Sequence, residues 1–73
     1  MSPARVAKRS LDIAGHRTSV SLEAPFWEAL ADIAAERKLS LAALVAEIDR
    51  RRAPETNLSS AIRVFVLARY REG

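Results

Sequence analysis

The sequence predicts a mostly α-helical fold with one N-terminal β-strand that pairs antiparallel across a homodimer and is followed by three helices. Three observations predict it. The stretch His16-Arg17-Thr18-Ser19-Val20-Ser21-Leu22 alternates outward polar residues with inward smaller or apolar ones. Beyond it, apolar residues recur at the three-and-four spacing of helices. A lone strand, finally, needs partners for its backbone N–H and C=O groups, and the nearest supply is the same strand of a second copy across a two-fold axis.

Bulk properties agree with an assembly of two. A chain of 73 residues is one domain with little apolar surface to bury unaided. It has no Cys and a single His, which excludes disulfides and the usual zinc ligand sets, so no metal or cofactor is expected and oligomerisation is the remaining route to a core. Hydrophobic residues make up 49% of the chain and aromatics only 5%, which describes a core of Ala, Leu, Val and Ile rather than a ligand-lined pocket. No apolar run approaches a membrane span or a signal-peptide core, so the expectation is a soluble cytoplasmic protein without a membrane partner.

Charge is placed unevenly. The net charge is +3, and up to Thr18 the chain carries Arg5, Lys8, Arg9 and Arg17 against Asp12, while acids and bases balance in the remainder. The whole excess therefore lies in and before the strand. A basic arm leading into a polar ribbon is the footprint of a phosphate-seeking surface.

Taken in order, residues 1–8 lack apolar periodicity and are expected to form a flexible basic arm. Leu11, Ile13 and the Ala14-Gly15 pair either extend the strand or form a short return, Gly15 permitting a bulge or a positive φ. In the main strand Thr18, Val20 and Leu22 share the core face, and Arg17, Ser19 and Ser21 share the outer one. Pro25 suits the first turn of a helix, where its missing N–H does no harm. From there to about Arg37 the stripe is Phe26, Leu30, Ile33 and Ala34, with Trp27 covering one edge of the core. Ser40 is a natural N-cap for a second helix whose stripe is Leu41, Leu44, Val45 and Ile48. That helix ends in Arg50-Arg51-Arg52, where cations complement the helix dipole.

After a turn over residues 53–56, Thr56 or Asn57 caps a third helix running to about Arg71. Leu58, Ala61, Ile62, Val64, Phe65, Val66, Leu67, Ala68 and Tyr70 wrap apolar surface around much of its circumference. Such a helix must be covered on most sides, and the partner subunit is the natural cover. A larger assembly stays open.

Strand, helix, short turn and helix is the order of the ribbon-helix-helix family of DNA-binding proteins, and the residues resemble it. Ser19-Val20-Ser21-Leu22 looks like the family's ribbon, Phe26 to Ile33 like its first helix, and Leu39-Ser40-Leu41-Ala42-Ala43-Leu44-Val45 like the turn and second helix. Lys8-Arg9-Ser10, Ile13 to Glu23 and Phe26-Trp27 further resemble a small bacterial branch that carries an extra C-terminal helix. The resemblance spans about Lys8 to Arg69. It implies a ribbon-helix-helix core over residues 9–52 and an additional C-terminal helix over residues 53–73.

The implied function is a transcriptional regulator, a repressor, that binds double-stranded DNA and reads its major groove with an intersubunit β-ribbon. By resemblance, Arg17, Ser19 and Ser21 read bases. Ser40, Leu41 and Ala42, at the start of the second helix, offer N–H groups to a backbone phosphate. Lys8, Arg9 and His16 add phosphate or neighbouring groove contacts. Thr18, Val20, Leu22, Leu44, Ile48, Ile62 and Phe65 are expected in the dimer core.

Two positions depart from the family pattern. Lys38 stands where a turn Gly is common, and Glu23 lies where some members carry a base. Lys38 is thereby expected to adopt a left-handed conformation, and Glu23 to repel phosphates if it points at DNA.

A hydrolase built on Ser19 or Ser21 with His16 and Asp12 lacks an elbow motif or an oxyanion-hole loop, so no enzyme activity is expected. The competing reading is an antitoxin or protein-interaction module that holds a partner with its C-terminal helix.

Overall fold

The computed structural model describes residues 5–72; of the expected N-terminal arm, residues 1–4 lie outside the described residues. Two strands come first, β1 (Val6–Ile13) and β2 (His16–Glu23), followed by α1 (Ala24–Glu36), α2 (Leu41–Arg51) and α3 (Leu58–Glu72). The chain thus owns two strands where its sequence suggests one. β1 pairs antiparallel with β2 from Val6↔Glu23 to Ile13↔His16, so one edge of β2 finds a partner inside its own chain.

The physical reason lies in the connection. Ala14 (φ 50°) and Gly15 (φ 85°) both sit at positive φ in a two-residue loop, the signature of a type I′ turn whose twist matches that of the flanking strands. Of the two alternatives at Ala14-Gly15 the chain takes the return, and residues 6–8, expected in the arm, are strand. The alternation in β1 is masked by Arg9. It falls on the inner face beside Ala7, Leu11 and Ile13, where its guanidinium stacks 5.0 Å above the Trp27 ring. Trp27 Nε1 in turn donates to the Ala7 carbonyl at 2.8 Å, tying α1 to β1.

Under the hairpin the three helices close one core. Val20, Leu22, Leu30, Ile33, Leu44, Val45 and Ile62 are all but fully buried, and Ile13, Trp27, Ala34, Ile48 and Val66 complete the cluster. Trp27, not Phe26, leads the α1 stripe; Phe26 is half-buried, with the Arg63 guanidinium 5.8 Å above its ring. Val20, Leu22, Leu44, Ile48 and Ile62, expected in a core shared by two chains, are buried within one chain, and Thr18 and Phe65 are half-buried. Within the chain α3 is covered along Ile62 and Val66, while Val64, Leu67 and Tyr70 stay exposed.

The helix ends follow their residues. Glu23 stands at the N-cap of α1, with Pro in its first turn. Ser40 Oγ accepts the Ala43 N–H at 3.0 Å, and Asn57 Oδ1 accepts the Ser60 N–H at 2.8 Å, which caps α2 and α3. At the end of α1, Lys38 donates to the Ala35 carbonyl and Leu39 to that of Ala34, the paired bonds of a Schellman motif. This motif needs a left-handed residue, and Lys38 supplies it at φ 58°.

Left-handed backbone costs an ordinary side chain about 1 to 2 kcal/mol, part of which glycine forfeits through its freer unfolded state. Lys38→Gly is therefore expected to stabilise the fold by about 1 kcal/mol, a rise of about 4 to 8 °C in Tm for a domain of this size. Thermal melts of the two proteins check this. An unchanged or lower Tm would mean that the turn carries no strain.

Candidate nucleic-acid interface

Cross-strand partners share a face, so the register defines the outer surface of the hairpin. On it Lys8 lies opposite Ser21, Ser10 opposite Ser19, and Asp12 opposite Arg17, with Val6 and Glu23 at the far end. Lys8, Ser10, Asp12, Arg17 and Ser19 are exposed and Ser21 is half-buried. From Lys8 to the turn this face holds no large apolar side chain. The Arg17 and Asp12 side chains form an ion pair at 3.4 Å.

The backbone of β2 is divided between its two edges. Ala24 N–H donates to the Arg5 carbonyl at 2.8 Å, which sets the phase of the ladder: residues 7, 9, 11 and 13 are the hydrogen-bonded members of β1, facing residues 22, 20, 18 and 16. The N–H and C=O groups of Arg17, Ser19 and Ser21 consequently point away from β1. At Ser21 that carbonyl accepts the Ser59 hydroxyl of α3 at 3.0 Å.

A second clasp joins α3 to the same end of the strand. Arg63 Nε and Nη2 donate to the two carboxylate oxygens of Glu23 at 2.9 and 3.1 Å. The fork neutralises the acid expected to repel phosphates. These hydrogen bonds, helped by a backbone N–H and the Arg63 charge, hold the Glu23 carboxyl below the usual glutamate range. Because the folded value is the lower one, the clasp contributes fully at neutral pH and is lost as pH falls through that depressed value. Glu23→Gln is accordingly expected to reduce stability near neutrality, the deficit against the unmutated chain shrinking in acid. Denaturant titrations across pH read it, and a pH-independent deficit would contradict the clasp.

The remaining sequence-selected residues do not all meet on one face. Lys8 joins Arg17, Ser19 and Ser21 on the outer surface, whereas Arg9 is on the inner face over Trp27. His16 is exposed beside the turn, on the side of Thr18, so it faces away from Ser19 and Ser21 and forms no Ser–His pair with them. Ser40 is exposed and Leu41 and Ala42 are half-buried at the start of α2, where the first N–H groups have no intrahelical acceptor. Of the arginine run, Arg51 pairs with Glu47 at 3.7 Å, and Arg52 binds Asp49 and the Thr56 carbonyl, both at 2.7 Å.

Sequence reasoning missed the β1 half of the outer face, Ser10 and Asp12, and the Ser59 and Arg63 clasps. The two-residue Ala14-Gly15 loop was the available signal for β1. Nothing local announces pairs separated by about forty positions.

The architecture defines a class: a small helical domain that displays a two-stranded polar ribbon. The chain belongs to the ribbon-helix-helix domain family, whose model matches residues 6–70. Among solved structures it is similar to an uncharacterized protein from Bordetella pertussis Tohama I, at 35% identity and a TM-score of 0.75. That match covers 94% of this chain and 58% of the other, so this chain spans little more than half of its length. No curated protein matches.

Proposed function

We propose that the chain is a sequence-specific regulator of transcription, a repressor, that binds double-stranded DNA as a cytoplasmic homodimer and catalyses no reaction. The observation that carries this reading is the outer face of the hairpin, where Lys8, Ser10, Arg17, Ser19 and Ser21 stand together and the apolar Val6 lies only at the end far from the turn. Two strands about 4.8 Å apart fit a major groove about 12 Å wide, so such a face can approach base edges. Arg17 donates two hydrogen bonds to guanine O6 and N7. The serines, able to donate or accept, discriminate less. Lys8 meets phosphate beside them, and the free N–H groups at Ser40, Leu41 and Ala42 fix the docking register on the backbone. His16, on the side of Thr18, faces away from that surface and makes no contact in this reading. Arg9 contributes through Trp27 rather than through phosphate.

Membership of the family supports a dimer, as does the edge of β2 turned away from β1, where Arg17 and Ser19 offer backbone groups to a second β2. The two β2 strands are then the central pair that enters the groove, with the β1 of each chain flanking it.

The test is binding of a duplex selected from a random pool, followed by fluorescence anisotropy at increasing salt, with solution mass measured alongside. Affinity that falls linearly with log salt, and a mass of two chains, are expected. A monomer, or a chain without affinity for any duplex at low salt, contradicts the proposal.

One observation favours the second reading, an antitoxin or protein-interaction module. Val64, Leu67 and Tyr70, three apart on α3, remain 65%, 56% and 53% exposed. Beside them a cleft of about 340 Å³ is lined by Ile48, Ala61, Val64 and Phe65. Such a stripe suits a partner helix. Among the described residues no helix is long and apolar enough to cross a membrane, so the stripe is not part of a helical span.

A further inference from the structure

A carboxylate on a face that approaches phosphates weakens attraction to DNA of every sequence. Asp12 is such a carboxylate. Its register partner is Arg17, and Asp12 Oδ1 stands 3.4 Å from Arg17 Nη2 with both side chains largely exposed, at 72% and 68%. The two residues face each other at a pair of the ladder without mutual hydrogen bonds, where side chains approach most closely. The type I′ turn begins one pair further on and fixes both backbones.

We propose that Asp12 is a positioning residue: it presets the Arg17 guanidinium for guanine and lowers binding to other sequences. The inference rests on the reading that Arg17 contacts a base. A guanidinium carries five N–H donors, so a carboxylate at Nη2 leaves enough for the paired bonds to guanine O6 and N7. Long flexible side chains lose rotamer freedom on binding, and a guanidinium already held beside a carboxylate loses less. Against phosphate the pair works in the opposite sense. Asp12 neutralises Arg17 toward any backbone it meets, so a non-cognate duplex gains little from that arginine.

These two effects have opposite signs, which separates them from simple damage to the hairpin. The test compares Asp12→Ala, Asp12→Glu and Arg17→Ala on a duplex selected from a random pool, on the same duplex with its preferred guanine replaced, and on a random-sequence duplex. For Asp12→Ala, preference for the guanine is expected to fall by about 1.5-fold to fivefold, the range that exposed ion pairs support. Its affinity for the random duplex should rise, and the slope of log affinity against log salt should steepen by about 0.9, as Arg17 is freed for one phosphate. Asp12→Glu should retain most of the preference. Undiminished preference in Asp12→Ala, or a parallel loss on all three duplexes, overturns the inference. If Arg17→Ala itself loses no preference, the base-reading role fails and this inference falls with it; if only Asp12→Ala is silent, the base-reading role stands.

Discussion

Val20→Asp is expected to leave the chain unfolded. Val20 is 2% exposed on the inner face of β2, in the same cluster as Leu22, Leu30, Leu44 and Ile62. Among the described residues this core contains no buried polar or charged side chain, so an introduced carboxylate finds no partner there. The effective penalty for an unpaired buried ion is several kcal/mol, against a total stability of about 4 to 11 kcal/mol for a domain of this length. Because β2 also positions β1 and anchors α3 through Ser21 and Glu23, its loss removes the frame for every other element. Far-UV circular dichroism with sedimentation checks it. A folded, soluble Val20→Asp variant with native helicity would mean that the inner face of β2 is not part of the core.

Arg17→Ala is the second large effect, and it concerns recognition rather than folding. Arg17 is exposed, its side chain touches Asp12 across the ladder, and its removal uncovers no apolar surface. Stability should change by less than about 0.5 kcal/mol. Preference for one guanine, by contrast, should fall by about 1 to 3 kcal/mol, which is about 5-fold to 150-fold in relative affinity. Anisotropy on matched and substituted duplexes reads the ratio directly. Discrimination that survives the substitution would remove Arg17 from the reading surface and leave sequence preference to the weaker serine hydroxyls or to DNA shape.

Much of this molecule is legible in its residues because the signals are local. Alternation from Arg17 to Leu22 gave β2 and its two faces, Ser40 and Asn57 announced caps that the structure forms, and the departure at Lys38 gave the left-handed turn. The family followed from the same stretch.

What escaped is non-local or masked. Arg9 hides the alternation of β1, since its stem and guanidinium cover Trp27 while a reading by polarity counts it as solvated. With β1 masked, β2 reads as a lone strand, whereas the hairpin satisfies one of its two edges within the chain. Phe26 and Trp27 exchanged roles because adjacent aromatics differ by about 100° around a helix, and only packing decides which enters the core. On the candidate site, the outer residues of β2 and Lys8 are legible in the sequence, and Ser10 and Asp12 of β1 are not. Glu23 looked repulsive until Arg63, forty positions away, was seen to hold both its oxygens.

The central claim, that the outer face of the hairpin is the surface that meets DNA, is tested most directly by titrating ¹⁵N-labelled protein with a duplex selected from a random pool and following backbone amide shifts. Shifts concentrated at residues 8 to 12 and 17 to 21 and at the start of α2, with the α3 stripe of Val64, Leu67 and Tyr70 unmoved, are the predicted result. Perturbation confined to α3 while the hairpin stays silent would contradict it.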